Sequence, residues 1–68
     1  MQVFDGKKLV ALRKAAGYTQ KAFGEAIGTS EQQYQRWEYG KVEPSATYLL
    51  RMQKLLQCSP DALLVEAE

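Results

Sequence analysis

Residues 19–40 read TQKAFGEAIGTSEQQYQRWEYG. Thr19 and Ser30 each stand where a helix N-cap belongs, and Gly28 and Gly40 each stand where a helix ends. Between them the apolar residues fall at helical, not alternating, spacing: Ala22, Phe23, Ala26 and Ile27 first, then Tyr34 and Trp37. The pattern predicts one helix over 20–27 and a second over 31–39. Ser30 and Gln33 have the Ser-x-x-Gln spacing of a capping box. Only Gly28, Thr29 and Ser30 separate the helices, which is the sequence form of a helix-turn-helix over 20–39. The second helix must cross the first steeply, so the link must reverse abruptly, and glycine reaches positive φ at least cost. Gly24 supplies the small residue that a close crossing needs.

Working outward, the same punctuation continues. Asp5 caps a helix over 6–16, with Phe4 placed to pack on Leu9, an apolar face of Leu9, Leu12 and Ala16, and Gly17 as its end. The loop GKVEP at 40–44 is fixed by Pro44. Ser45 caps a helix over 46–56 that turns Leu49, Met52, Leu55 and Leu56 inward. Ser59-Pro60-Asp61 then opens a short fifth helix: a cap, a proline at the first position and an acid in the first turn. Leu63 and Leu64 anchor it. These readings predict an all-α fold, a compact five-helix bundle forming a single domain over 1–68.

Composition narrows the function. Sixty-eight residues make one domain, 46% hydrophobic and 25% charged, as globular chains are. Cys58 is the only cysteine, so no intrachain disulfide forms, which suits a reducing compartment. With no histidine, a zinc site lacks ligands and a hydrolytic triad lacks its usual base. Asp5, Glu25, Glu31, Glu38 and Glu43 are scattered over separate segments, with no Gly-rich phosphate loop nearby. We therefore expect no enzyme, no metal, no cofactor and no small-molecule ligand. No apolar run is long enough to span a membrane, and MQVFDGKK lacks the order of a signal peptide, so the expected location is the cytoplasm. The net charge of +1 is small for a nucleic-acid binder, but it is uneven: +2 over residues 1–44 and −1 over 45–68.

The stretch RKAAGYTQKAFGEAIGTSEQQYQRWEYGKVEPS resembles the phage repressor and Cro family, the Xre-like helix-turn-helix domains. The resemblance rests on Arg13 with Gly17, Thr19-Gln20, Gly28 followed by Ser30, Trp37-Glu38, Gly40 and Pro44, and LLQCSPDALL extends it to about residue 64. It implies the lambda-repressor-like fold, a bacterial or phage origin, and a place at the nucleoid. Four positions depart from the family pattern. Phe23 replaces Leu, Gly24 replaces Ala, Thr29 replaces Val or Ile, and Tyr34 replaces Ile or Val. We expect Gly24 and Tyr34 to be coupled, the missing methyl making room for the ring. Gln57 stands where the family often has Gly, so the 46–56 helix is expected to end differently.

The resemblance also implies residue roles. Gln20 opens the second helix and is placed to grip a phosphate, with the helix N-terminus assisting; its alternative is a solvated surface glutamine. Glu31, Gln32 and Arg36 lie over base edges in the family's geometry, where Gln pairs with adenine, Arg with guanine, and Glu accepts from cytosine. Without DNA they are ordinary surface polarity. Gln33 completes the capping box, contacts DNA, or does both, and Gln35 approaches backbone or bases. Lys21, Ser30, Tyr39 and Lys41 are candidate phosphate contacts, as are Lys7 or Lys8 if the bundle turns that way. Gly24, Gly28, Tyr34 and Trp37 are structural, the two aromatics pointing inward away from Arg36. Arg13 and Glu38 pair beneath the motif, as their family counterparts do.

Two functions follow. One is a sequence-specific double-stranded DNA-binding regulator, a repressor that reads an inverted repeat as a weak homodimer, with Tyr48, Leu63 and Val65 as candidate dimer contacts. The other, favoured by the near-neutral charge, is an antitoxin-type module whose main partner is another protein.

Overall fold

A computed structural model describes residues 1–67. The chain runs β1 (Gln2–Phe4), α1 (Gly6–Ala15), α2 (Gln20–Ile27), α3 (Glu31–Glu38), α4 (Ala46–Leu56), a 3-10 turn (Pro60–Leu63) and β2 (Leu64–Glu66). The lambda-repressor-like helical fold is as the sequence indicates, with two differences. There are four α-helices rather than five, because the segment after Ser59 winds only a 3-10 turn before extending. In addition, β2 pairs antiparallel with β1 in the register Gln2↔Glu66, Val3↔Val65, Phe4↔Leu64. Asp5 N–H donates to Leu63 O at 2.9 Å and Ala67 N–H to Met1 O at 2.8 Å, extending the ribbon at both ends.

Side-chain caps start the first three helices. Asp5 accepts from Lys7 N–H, Thr19 from Ala22 N–H and Ser30 from Gln33 N–H. Each satisfies a donor that the helix itself leaves free. Ser45 and Ser59 occupy cap positions but make no side-chain cap bond. Gln57 ends α4 in the left-handed region, φ +53°, doing without a glycine what the family often does with one.

The core is Leu9, Phe23, Ile27, Tyr34, Trp37, Met52 and Leu63. Five rings run through it in series. Tyr18 meets Phe23 at 5.4 Å between centroids, Phe23 meets Tyr34 at 5.2 Å, Tyr34 meets Trp37 at 6.3 Å, and Trp37 meets Tyr48 at 5.0 Å. The series joins the α1–α2 link, α2, α3 and α4, so the helix-turn-helix is held on a stiff aromatic floor. Phe4 reaches the core, but from a strand. Ala16, Ala22 and Ala26, expected on inward faces, are exposed, and Phe23 and Ile27, one turn apart, form the buried face of α2 together with Gly24. Leu63 is fully buried beneath the ribbon and is therefore not available as a dimer contact. No helix among the described residues is long and apolar enough to cross a membrane.

Candidate nucleic-acid interface

The turn between α2 and α3 is built by hydrogen bonds to the end of α2. Gly28 adopts φ +84°, its N–H and that of Thr29 return to Glu25 O and Gly24 O, and Ser30 re-enters helix as N-cap. One contributor was not visible in the sequence. Arg51 on α4 donates Nη1 to Ile27 O at 3.0 Å, satisfying a terminal carbonyl of α2, and its guanidinium lies 5.3 Å from the Tyr48 ring centroid. Ser30 and Gln33 form only half a capping box among the described residues: Ser30 Oγ accepts from Gln33 N–H at 3.2 Å, with no return bond from the Gln33 side chain.

A methyl at Gly24 would sit 3.5 Å from Tyr34 Cβ and from Thr29 O, an ordinary contact distance. The methyl would make ordinary contacts there without a clash, and its nearest Tyr34 neighbour is the Cβ.

Beneath the motif, Glu38 collects donors from three elements. Arg13 on α1 gives Nε to Oε2 at 2.6 Å, Tyr34 on α3 gives its hydroxyl to Oε2, and Gln20 at the start of α2 gives Nε2 to Oε1 at 2.9 Å. The Arg13 and Glu38 side chains are 9% and 1% exposed, so this is an interior ion pair. Arg13 Nη1 also donates to Tyr18 O at 2.8 Å, tying in the α1–α2 link. Burial alone would push the Glu38 carboxyl up. The bonds from Arg13, Tyr34 and Gln20 outweigh it and hold the group below its ordinary value. The Tyr34 hydroxyl is shifted the other way, well above the ordinary tyrosine range, by burial and by donating a hydrogen bond to a carboxylate. The bond to Glu38 raises Arg13 further. This hydroxyl is specific to having Tyr at 34; an aliphatic residue there brings no donor.

The polar residues of α3 divide by direction. Glu31, Gln32, Arg36 and, just past the helix, Tyr39 are exposed, and among the described residues none of these four side chains is hydrogen-bonded to another part of the chain. Gln32 and Arg36 are one turn apart, hence neighbours on the same side. Gln33 is half-buried on the flank beside Trp37. Gln35 is half-buried on the other flank, where its Nε2 donates to Gln20 Oε1 at 3.1 Å. Gln20 is accordingly bound on two sides, not freely solvated. Lys21, Ser30 and Lys41 are exposed. Lys7 is exposed, whereas Lys8 is turned onto Leu64 O of the ribbon. The geometry thus offers a row of free donors and acceptors on a helix that is locked from behind. Among the described residues no cluster of His, Cys, Asp and Glu could hold a metal ion.

Comparison with known proteins places this arrangement. Repressor protein C2 of Salmonella phage P22 is 41% identical over 59 residues, 87% of this chain and 27% of that protein. The SPbeta prophage-derived HTH-type transcriptional regulator YonR of Bacillus subtilis is 34% identical over 59 residues, 87% of this chain and 55% of that protein. The chain therefore spans between about a quarter and about half of these relatives. The crystal structure of the P22 c2 repressor in complex with a synthetic operator superposes with a TM-score of 0.79 at 40% identity, covering 85% of this chain and 88% of that one. The helix-turn-helix family model matches residues 9–63, and on that match and these identities the chain belongs to the helix-turn-helix family of the phage repressor and Cro type.

Proposed function

We propose that the chain is a sequence-specific double-stranded DNA-binding transcriptional regulator, a repressor, that lays α3 in the major groove and reads an inverted repeat as a homodimer. The observation that carries this reading is the two-sided character of α3. Tyr34, Trp37 and Glu38 fix its inner side, while Glu31, Gln32 and Arg36 stand exposed and unbonded on its outer side. Arg36 has the paired donors that match guanine O6 and N7, Gln32 the donor and acceptor that match adenine, and Glu31 the acceptor for a cytosine amine. Gln20, Lys21, Ser30, Tyr39 and Lys41 surround that helix and contact phosphates, fixing its register. The relative solved on an operator, at 40% identity, supports the same placement. The chain acts by binding, not catalysis, in the bacterial cytoplasm at the nucleoid. Two-fold pairing sets the half-sites about one helical turn, roughly 34 Å, apart.

The test is enrichment of duplex DNA from a random pool at moderate salt. An imperfect palindrome should emerge, and Gln32→Ala with Arg36→Ala should abolish the enrichment while urea unfolding stays unchanged. A folded dimer that enriches nothing would instead favour the module whose partner is another protein.

A further inference from the structure

Gln35 and Glu38 lie three residues apart on α3 and both reach Gln20 on α2. The order of atoms in this contact is forced by chemistry. An ionised carboxylate only accepts hydrogen bonds, so Gln20 must turn its NH₂ to Glu38. Its carbonyl oxygen then faces Gln35, which must supply an N–H. The orientation of an amide is ordinarily free to reverse. Here a chain of donors that ends on a buried charge settles it. Arg13 and Tyr34 hold that charge in place, so the whole relay is anchored in the core.

Two things follow for the surface. Gln20 has its oxygen and one N–H occupied, which leaves a single N–H uncommitted. A phosphate is an acceptor only, so an N–H is the group it requires. Gln35, for its part, is half-buried on the α2 flank of α3 with an amide N–H committed to Gln20, whereas Gln32 and Arg36 are exposed and unbonded. From this geometry we infer that Gln35 is a positioning residue and not a reader of bases: with Glu38 it fixes the Gln20 amide so that an N–H, never the carbonyl, meets a DNA phosphate. The inference rests on the DNA-reading function proposed above and assigns Gln35 a different role from that of Gln32 and Arg36.

The experiment is a double-mutant cycle with Gln20→Ala and Gln35→Met, methionine keeping the length of the side chain without its donor. Binding is read by fluorescence anisotropy on two labelled duplexes, a random-sequence pool and the palindrome enriched from it, with Trp37 fluorescence in urea confirming the fold. Each single substitution should weaken both duplexes by about fivefold, the scale of one hydrogen bond. The double variant should be no weaker than Gln20→Ala alone. Salt dependence should not change, because neither side chain is charged. Gln35→Glu should be worse than Gln35→Met on both duplexes, since a second carboxylate claims the remaining Gln20 N–H. A loss confined to the palindrome, losses that add, or no loss with Gln35→Met would each overturn the positioning role while leaving the DNA function intact. A folded wild type that binds neither duplex would overturn the function and the inference with it.

Discussion

Gly6, the first residue of α1, packs flat against the backbone of Glu38, the last residue of α3. A β-carbon on Gly6 would stand 2.7 Å from the Trp37 carbonyl oxygen and closer still to that of Glu38. Neither obstacle is a flexible side-chain tip. Gly6→Ala must therefore push apart the two helices that the Arg13–Glu38 pair draws together, and should cost about 1–3 kcal/mol of stability. Gly24→Ala tests the opposite case, a glycine with room beside it. It should stabilise the domain by up to about 1 kcal/mol, the helix-propensity gain. Urea unfolding followed by the fluorescence of buried Trp37 measures both.

Removing Arg13 leaves Glu38 charged and buried with two weaker donors. Arg13→Ala should cost about 3–5 kcal/mol, the scale for orphaning one partner of an interior ion pair. A loss below about 1 kcal/mol would mean that water reaches the pair in solution.

The same cluster makes stability depend on pH at both extremes. Glu38 is depressed in the folded state, so its contribution is fully present above the ordinary carboxyl value of 4.5 and is lost as pH falls through the folded value. Tyr34 is raised, so its contribution is fully present below 10.0 and is lost as pH climbs beyond that value toward the folded one. The urea midpoint should form a plateau between these limits. In Tyr34→Phe the alkaline fall that belongs to this hydroxyl should disappear while the acid fall remains.

Gln57 holds φ +53° at the end of α4. A side chain there costs backbone energy that glycine avoids, so Gln57→Gly should raise stability by up to about 1 kcal/mol, measured as a higher thermal midpoint.

What could be read from the chain beforehand follows a physical line. Helices α2 and α3, their caps at Thr19 and Ser30 and the Gly28 turn were legible, because local capping chemistry and helical spacing determine them; the Arg13–Glu38 pair, 25 residues apart, was expected only through the family resemblance. The ribbon was not. Gln2–Phe4 and Leu64–Glu66 are three residues each, too short to show alternation, and each is a strand only because the other lies beside it. The fifth helix was overread for a related reason: Ser59-Pro60-Asp61 is a sound start signal, but Leu63 drops into the core and the backbone extends after it. At the site, residue types revealed which side chains carry useful donors and acceptors, but not which were already engaged. Gln20, Gln35 and Lys8 all read as surface residues, and the structure binds each to a partner far away in sequence. Arg51 on Ile27 O escaped notice in the same way.

The ribbon also bears on how the domain forms. Contacts between α2 and α3 join near neighbours in sequence, whereas Asp5 bonded to Leu63, and Met1 to Ala67, enclose almost the entire chain in one loop. Closing so long a loop is entropically expensive and is rewarded by only a few hydrogen bonds. The helix-turn-helix should therefore assemble early, with the ribbon zipping shut last and fraying first. Amide hydrogens of Asp5 and Ala67 should exchange with solvent through small local openings, while those of Phe23 and Tyr34 wait for the whole domain to unfold.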